Sequence, residues 1–441
     1  MSDALMDLAE QVVAHARRHG AQEVSVAVQE GSHTEISRRD EKVEQASESS
    51  TRRLSLSLLV DDRWSSHGTS DLRPDALEAF LARAVAATRL LEPDPDRALP
   101  PRELCGRGAT EEHLDPFDPR WRTWTAGDRA ERAEALEQAV LARRGDDFVS
   151  ATVGVSDGSG RAVQVTSHGF ADASEGAWFA QGASVTLADE GGRRPEGHAH
   201  YAARYLSDLP DLERIATEAT ERARDAVGSG PIASGRYPLV LQNRVAGRIL
   251  GTLLGPLSGG AIHHGRSCLA DKLGQPIGSA ALTILDDPTI PRGLGSTPWD
   301  EDLLVARPRT IVQDGVLQSF YVSVYYARRL GWEPTTGSRS NWVLPAGTRP
   351  WTQIAAEHDR AILVTGFLGG NANPLTGDFS FGIRGRLLER GVPTARLSEM
   401  NVAGNVLTFF HQLTELADDP WTYSSTITPS LVFEDVSFSG T

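Results

Sequence analysis

Histidine and cysteine are the residues of this 441-residue chain best suited to chemistry, and their spacing restricts what they can do. No His-Glu-x-x-His pattern falls on a segment with helical periodicity, so a zincin-type site is not written here. His198-Ala199-His200 puts two imidazoles on one face of a strand, because residues two apart share a face. Zinc needs at least a third ligand and none stands out nearby, so a solvated strand face is the expectation. His263 and His264 are adjacent, point differently, and read as interface or surface residues. Cys105 and Cys268 are the only cysteines, too few for a disulfide framework or a Cys-rich zinc site. Cys268, within Gly265-Arg266-Ser267-Cys268-Leu269, reads as a small, partly buried side chain rather than a nucleophile. No Gly-x-Ser-x-Gly elbow sits on a strand-to-helix turn to present a serine.

The most unusual stretch is Gly369-Gly370-Asn371-Ala372-Asn373-Pro374-Leu375-Thr376-Gly377-Asp378. It lacks the Gly-Lys-Ser/Thr ending of a phosphate loop, and an Asp stands where the Lys is wanted, which repels phosphate. Gly366, Gly369, Gly370 and Gly377, with two asparagines around one proline, permit backbone conformations closed to other residues. The stretch runs into Phe379-Ser380-Phe381-Gly382, which alternates like a strand. Two readings fit: a structural loop between core strands, or a loop and strand edge bordering a peptide channel. The channel or interface candidates are Gly369, Gly370, Asn371, Asn373, Thr376, Gly377, Asp378 and Ser380. Asp378 is expected to fix the turn by accepting backbone N–H bonds.

The elements that must position these residues fall into three segments: 1–125, 126–230 and 231–441. In the first, Leu5, Leu8, Val12 and Ala16 recur at helical spacing, and Val24, Val26 and Val28 alternate as in a half-buried strand. Further strands are predicted at 34–39, 54–60 and 63–68, then a helix with Ser70 or Asp71 as cap and Pro74 in its first turn. The Pro- and Asp-rich stretch 91–125 reads as a surface connection. The second segment repeats the order, with a helix at 129–143 and strands at 151–155, 162–166, 177–187 and 197–205, then a helix at 208–227. Asp157-Gly158-Ser159-Gly160 reads as a turn within it. Helix, four strands, helix thus occurs twice, a weak internal duplication. After Gly228-Ser229-Gly230-Pro231 come short strands broken by Gly and Pro, too irregular for a parallel doubly wound sheet. The expected fold class is α+β, a duplicated helix–strands–helix region followed by a β-rich C-terminal domain.

Composition bounds the function. Hydrophobic residues make up 40% and charged residues 23%, ordinary for a globular protein. A net charge of −15 argues against a nucleic-acid partner held through phosphates. Asp3, Asp7 and Glu10 interrupt the N-terminus, and no stretch approaches the ~18 apolar residues of a membrane span. A cytoplasmic protein with no membrane partner is expected.

Asn373-Pro374-Leu375-Thr376-Gly377-Asp378-Phe379-Ser380 resembles the Asn-Pro-x-Thr-Gly-Asp-Phe-Ser signature of the TldE/PmbA proteins. Other matches follow in order, among them Gly235 to Leu241, Leu257-Ser258-Gly259, Asp286-Asp287-Pro288-Thr289, Gly293-Leu294-Gly295-Ser296 and Ala403-Gly404-Asn405. The resemblance spans the chain and is dense from about 235 onward. It implies a metallopeptidase built of two related subunits, TldD and TldE, that trims peptides. The TldD partner carries a His-Glu-x-x-x-His zinc motif on the helix after the strand opening the C-terminal domain. Here that stretch looks like Gln242-Asn243-Arg244-Val245-Ala246-Gly247-Arg248, without either histidine or the glutamate. The resemblance therefore implies the TldE-like subunit: no cofactor in this chain, zinc in a TldD-like partner, and an extended peptide as substrate. His263-His264 and His198-Ala199-His200 depart from the family pattern and leave room for a specialised substrate such as a natural-product precursor peptide. A stand-alone peptide-binding or chaperone-like protein without a protease partner stays open as the competing class.

Overall fold

The computed structural model describes residues 4–441, so Asp3 lies outside it. The first half is built twice. Helix α1 (Ala4–Arg18) leads into β1 (Glu23–Arg39), β2 (Lys42–Val60) and β3 (Arg63–Thr69), and α2 (Pro74–Thr88) closes the unit. Beyond the short α3 (Glu111–Leu114), the order recurs as α4 (Ala126–Leu141), β4 (Phe148–Thr166), β5 (Ala171–Leu187), β6 (Glu196–Ala203) and α5 (Leu212–Ala226). All six strands join one sheet in the order β3-β2-β1-β4-β5-β6, a palindrome about the β1–β4 seam. Along that seam Ser25 faces Thr166 and Arg39 faces Thr152, antiparallel.

Period-two alternation decides the layering. Val24, Val26 and Val28, with Leu54, Leu56, Leu58 and Val60, are buried in one cluster with residues of α1 and α2. Val153, Val185 and Tyr201 do the same with α4 and α5. Val153 and Val163 share a face of β4 yet belong to the two different clusters, so all four long helices cover one side of the sheet.

Each unit has three strands rather than the four that spacing predicts. Segments 24–28 and 34–39 are one strand, and the expected turn at Asp157 to Gly160 is continuous strand within β4. Gly158 pairs with His33 on one side and Trp178 on the other. A Cβ there would come within 2.8 Å of the Ser32 carbonyl oxygen and of the Trp178 indole, so glycine serves close packing rather than a turn. Asp157 is fully buried and neutralised: Arg129 donates to it through Nε at 2.6 Å and Nη2 at 2.7 Å, and Trp121 Nε1 at 2.8 Å. Two smaller expectations also change. Helix α2 begins at Pro74 as read, but Arg73 is its N-cap and makes no capping side-chain bond, while Asp71 binds the Arg73 side chain at 2.8 Å. The 91–125 connection is partly interior: Leu99, Cys105, Leu114 and Asp118 are buried, Cys105 against Phe170, Trp299 and Leu303.

The C-terminal half opens with β7 (Gly235–Leu241) and α6 (Asn243–Leu250). A small sheet holds β8 (Ile284–Asp286), β9 (Arg309–Gln313), β10 (Val316–Leu317) and β11 (Trp342–Val343), with the later β16 (Thr426–Ile427) at its edge. The larger sheet uses β7 with β12 (Arg360–Ala372), β13 (Asp378–Glu389), β14 (Val392–Asn405), β15 (Leu413–Leu416) and β17 (Leu431–Ser439), in the order β14-β13-β12-β7-β17-β15. Because β14 also pairs with β17, Asn401 opposite Ser439, five strands close on themselves. The architecture is α+β, with the β-rich part C-terminal as expected.

Polar ties join the two halves. Arg204 donates to the carbonyls of Gly293 and Leu294 at 3.4 and 3.2 Å, and Arg386 pairs with Asp225 at 2.5 Å. Tyr201 packs on Trp421 and Tyr423 with ring centroids 5.1 and 4.8 Å apart.

Removing one member of a buried ion pair strands the other charge, at a cost of about 3–5 kcal/mol. Asp157→Ala is therefore expected to lower unfolding free energy by about that amount in urea titration. Coupled replacement of Arg129 and Asp157 by Met and Leu should lose clearly less.

Candidate functional site

The glycine-rich motif folds as a hairpin rather than a loop. Gly369, Gly370 and Asn371 belong to β12, Asn373 and Thr376 to the turn, and Asp378 and Ser380 to β13. The glycines are needed where φ is positive: +109° at Gly369, +120° at Gly370 and +81° at Gly377. Gly370 follows a register shift between Phe367 and Gly370, and a Cβ there would meet Phe381 Cα at 2.6 Å. The turn closes through Asn373 N–H to the Asp378 carbonyl and Gly377 N–H to the Asn373 carbonyl, both 2.8 Å. Asn405 then pins it, Nδ2 donating at 2.8 Å to both the Thr376 carbonyl and the Asp378 carboxylate. Asp378 itself is exposed, and its carboxylate accepts from this side-chain amide instead of the expected backbone N–H groups. Hydrogen bonds from Asn405 and Thr376 hold its carboxyl below the ordinary range.

A cleft lies where the halves meet, between β6 and α5 on one side and α6 with β12 and β13 on the other. It encloses about 580 Å³. Its shape follows from connectivity. Strand β7 pairs with β12 only as far as Leu241 opposite Val364. The chain then turns at Gln242 into α6, so beyond Val364 β12 continues without its parallel neighbour. Gln242 and Arg244 face the resulting space together with Thr365, Gly366, Phe367 and Leu368. Arg244 donates through Nε to Gln242 Oε1 at 2.9 Å and through Nη2 to the Thr365 carbonyl. Withdrawal from water, with Arg222 nearby, pushes its pKa down to about 9, which leaves it charged at neutral pH. Asn243 is engaged on both sides: its Oδ1 accepts from Arg244 N–H at 2.6 Å and its Nδ2 donates to the Asp419 carbonyl at 2.6 Å. Further along the helix, Arg248 Nη2 lies 3.4 Å from the Gly370 carbonyl and thereby reaches the glycine-rich hairpin.

This donor set does not fit zinc. Structural and catalytic zinc takes imidazole, thiolate or carboxylate. The first turn of α6 offers amide oxygens that already accept hydrogen bonds, and cations. Among the described residues no group of three or more His, Cys, Asp or Glu is arranged to hold a metal.

His198 and His200 share the helix-free face of β6 and are both exposed, as read from their spacing. Desolvation, then the guanidiniums of Arg244 and Arg222, holds His198 below its ordinary pKa, and desolvation alone does so for His200. His263 and His264 pack edge to face on each other, and Tyr326 meets His264 edge to face and His263 at a tilt. Cys268 is half-buried and burial pushes its thiol up, the opposite of an activated nucleophile. Sequence reading passed over several groups. His15 on α1 and His19 just past its end both bond Glu78 of α2, at 3.1 and 2.8 Å. Arg214, Glu218 and Arg222 form an i,i+4 ladder on α5 that spacing could have revealed. Arg384, a charge inside strand β13, was the visible signal for the opposite wall.

Comparison with known proteins gives a consistent result. Residues 234–440 match the family described as the PmbA/TldA metallopeptidase C-terminal domain, and residues 24–88 match PmbA/TldA metallopeptidase domain 1. The chain is 27% identical to the metalloprotease PmbA of Escherichia coli O157:H7, over 94% of this chain and 92% of that protein. A putative modulator of DNA gyrase from Bacteroides thetaiotaomicron, solved by crystallography, superposes with a TM-score of 0.96 at 32% identity, covering 100% of both chains. TldE from Thermococcus kodakarensis shares the fold, with a TM-score of 0.85 at 23% identity over 98% of this chain and 100% of that one.

The hairpin geometry sets three expected outcomes, measured as urea midpoints. Asn405 also caps the helix Val406–Phe409 by accepting from Leu407 N–H at 2.9 Å, so Asn405→Ala should cost about 1 kcal/mol. Gly370→Val should cost more, because backbone atoms and not a flexible side chain block the Cβ. Asp378→Ala should cost less than either, because it removes only an exposed carboxylate bonded to Asn405 and Thr376.

Proposed function

Because the chain belongs to the TldE/PmbA metallopeptidase family, we propose that it is the zinc-free subunit of a two-subunit peptidase. A TldD-like partner would contribute the zinc and its carboxylate base, and this chain would complete the channel for an extended peptide. The observation that carries this reading is the first turn of α6. Where the family resemblance sets the zinc motif, Gln242, Asn243 and Arg244 supply amides and a cation, each already hydrogen-bonded to its neighbours. None supplies the imidazole ligands or the carboxylate base that zinc-dependent hydrolysis uses.

Supporting features lie along one path. The exposed hairpin from Gly369 to Ser380 stands at one end of β12, and the cleft stands at Thr365 to Leu368 of the same strand. An extended peptide could follow that strand, its backbone meeting the glycines closely. The helix-free face of the N-terminal sheet adjoins the cleft at His198. A ribosomally made precursor peptide is one substrate class that a channel of this kind would take. The same reading keeps the complex in the cytoplasm; no helix among the described residues is long and apolar enough to cross a membrane.

Purified alone, the chain should hold no stoichiometric zinc by elemental analysis and should cleave no peptide. Co-expressed with a relative bearing His-Glu-x-x-x-His, it should co-purify one to one and release peptidase activity, through an interface of about 2,000 Å² or more. One tightly bound zinc per isolated chain, lost on His198→Ala or His200→Ala, would overturn the reading. A monomer that binds no such partner in ultracentrifugation would favour the stand-alone peptide binder instead.

A further inference from the structure

Arg244 carries a charge with no direct ion-pair partner among the described residues; Glu218 favours that charge from a distance but is itself bonded to Arg214 and Arg222. Its hydrogen-bond partners, Gln242 Oε1 and the Thr365 carbonyl, are neutral. Arg384, on β13 of the same wall, likewise has no ion pair among the described residues: its Nη1 donates to the Glu196 carbonyl at 2.5 Å. Two of the four carboxylates around the cleft are committed to other arginines. Glu218 accepts from Tyr201 at 2.5 Å, Arg214 at 2.9 Å and Arg222 at 2.6 Å, and Asp225 is held by Arg386. Glu196 accepts only from the neutral Ser184 hydroxyl, at 2.7 Å, so Glu196 and Glu221, both exposed, are the carboxylates on the rim without an ion pair among the described residues. Withdrawing an arginine from water without a counter-charge is unfavourable, and a fork of N–H donors matches a carboxylate in shape as well as charge.

We propose that this cleft is a carboxylate-binding site, in which Arg244, assisted by Arg384, receives a carboxylate of an extended peptide. Charge and shape favour this occupant. At about 580 Å³ the cleft has room for several residues, and one wall is formed by Gly366, Phe367 and Leu368 of β12. An apolar strand edge ending at a guanidinium without an ion pair suits a peptide whose carboxylate, terminal or side-chain, is its recognised end. The start of α6 would thus set which peptides enter and in which direction. The proposal deepens the peptide-channel reading, but it concerns binding by this chain and needs no hydrolysis.

The test is fluorescence anisotropy of three fluorescein-labelled alanine–serine hexapeptides with the full chain: a free acid, its C-terminal amide, and an amide carrying one internal glutamate. The free acid should bind at least tenfold more tightly than the plain amide. Arg244→Gln should erase that preference, Arg244→Lys should restore part of it, and Arg384→Gln should reduce it several-fold. If the amide with internal glutamate binds as well as the free acid, the site accepts a side-chain carboxylate as well as the C-terminus; if only the free acid binds, it takes the C-terminus alone. Either outcome supports the site. Equal binding of all three peptides to wild type, no binding of any up to millimolar concentration, or an acid preference that survives Arg244→Gln in a variant with native circular dichroism would overturn it. These results are independent of the partner: acid-selective binding with no TldD-like complex would keep the site and discard the subunit reading, and the reverse combination would do the opposite.

Discussion

A cation held in a partly dry cleft, with only neutral hydrogen-bond partners, is the feature on which the functional account rests. Arg244 occupies that place because of chain geometry rather than its own preference. Strand β7 stops at Leu241, the chain turns at Gln242, and β12 runs on past Val364 without its parallel neighbour. The gap opened by that mismatch is the cleft, and the carbonyl of Thr365 exposed by it takes the guanidinium. Every other wall is fixed independently. Arg386 and Asp225 tie β13 to α5, Arg384 holds the β6 backbone, and Tyr201 wedges against Trp421 and Tyr423. Desolvation lowers the guanidinium's pKa to about 9 without discharging it.

The palindromic sheet gives this cleft an approach. With four helices on one face, the opposite face near β6 is floored by small residues such as Gly154, Gly182 and Ser184, and it meets the cleft at His198. A sheet covered on one face only is a common way to leave a broad surface for a partner or an extended ligand. On the C-terminal side, the closed set of β7, β12, β13, β14 and β17 makes a rigid base. The Gly369 to Ser380 hairpin projects from it, pinned by Asn405.

Much of this was legible in the residues. Alternation at Val24 to Val28 and Leu54 to Val60 identified strands and their buried faces, and helical spacing at Leu5 to Ala16 identified α1. The duplication was visible as element order, although its strand count was wrong. The error has a physical cause: Asp157, Gly158 and Gly160 are turn formers by propensity, but here Arg129 neutralises the aspartate and Trp178 demands the missing Cβ. Tertiary contacts overrode local preference. The same happened at Gly369 and Gly370, which bend a strand rather than make a loop. Sequence could show that α6 lacks zinc ligands. It could not show that Arg244, Arg384 and His198, drawn from three distant segments, share one cleft, because no spacing rule links residues 198, 244 and 384.

The central claim, that this chain shapes a peptidase site without holding its metal, is tested most directly by anomalous diffraction at the zinc edge from crystals of the co-purified complex. The account predicts one zinc per heterodimer, bound by the partner subunit, and no anomalous peak in the cleft at Gln242 to Arg248 or beside His198 and His200. A zinc peak coordinated by side chains of this chain would contradict it.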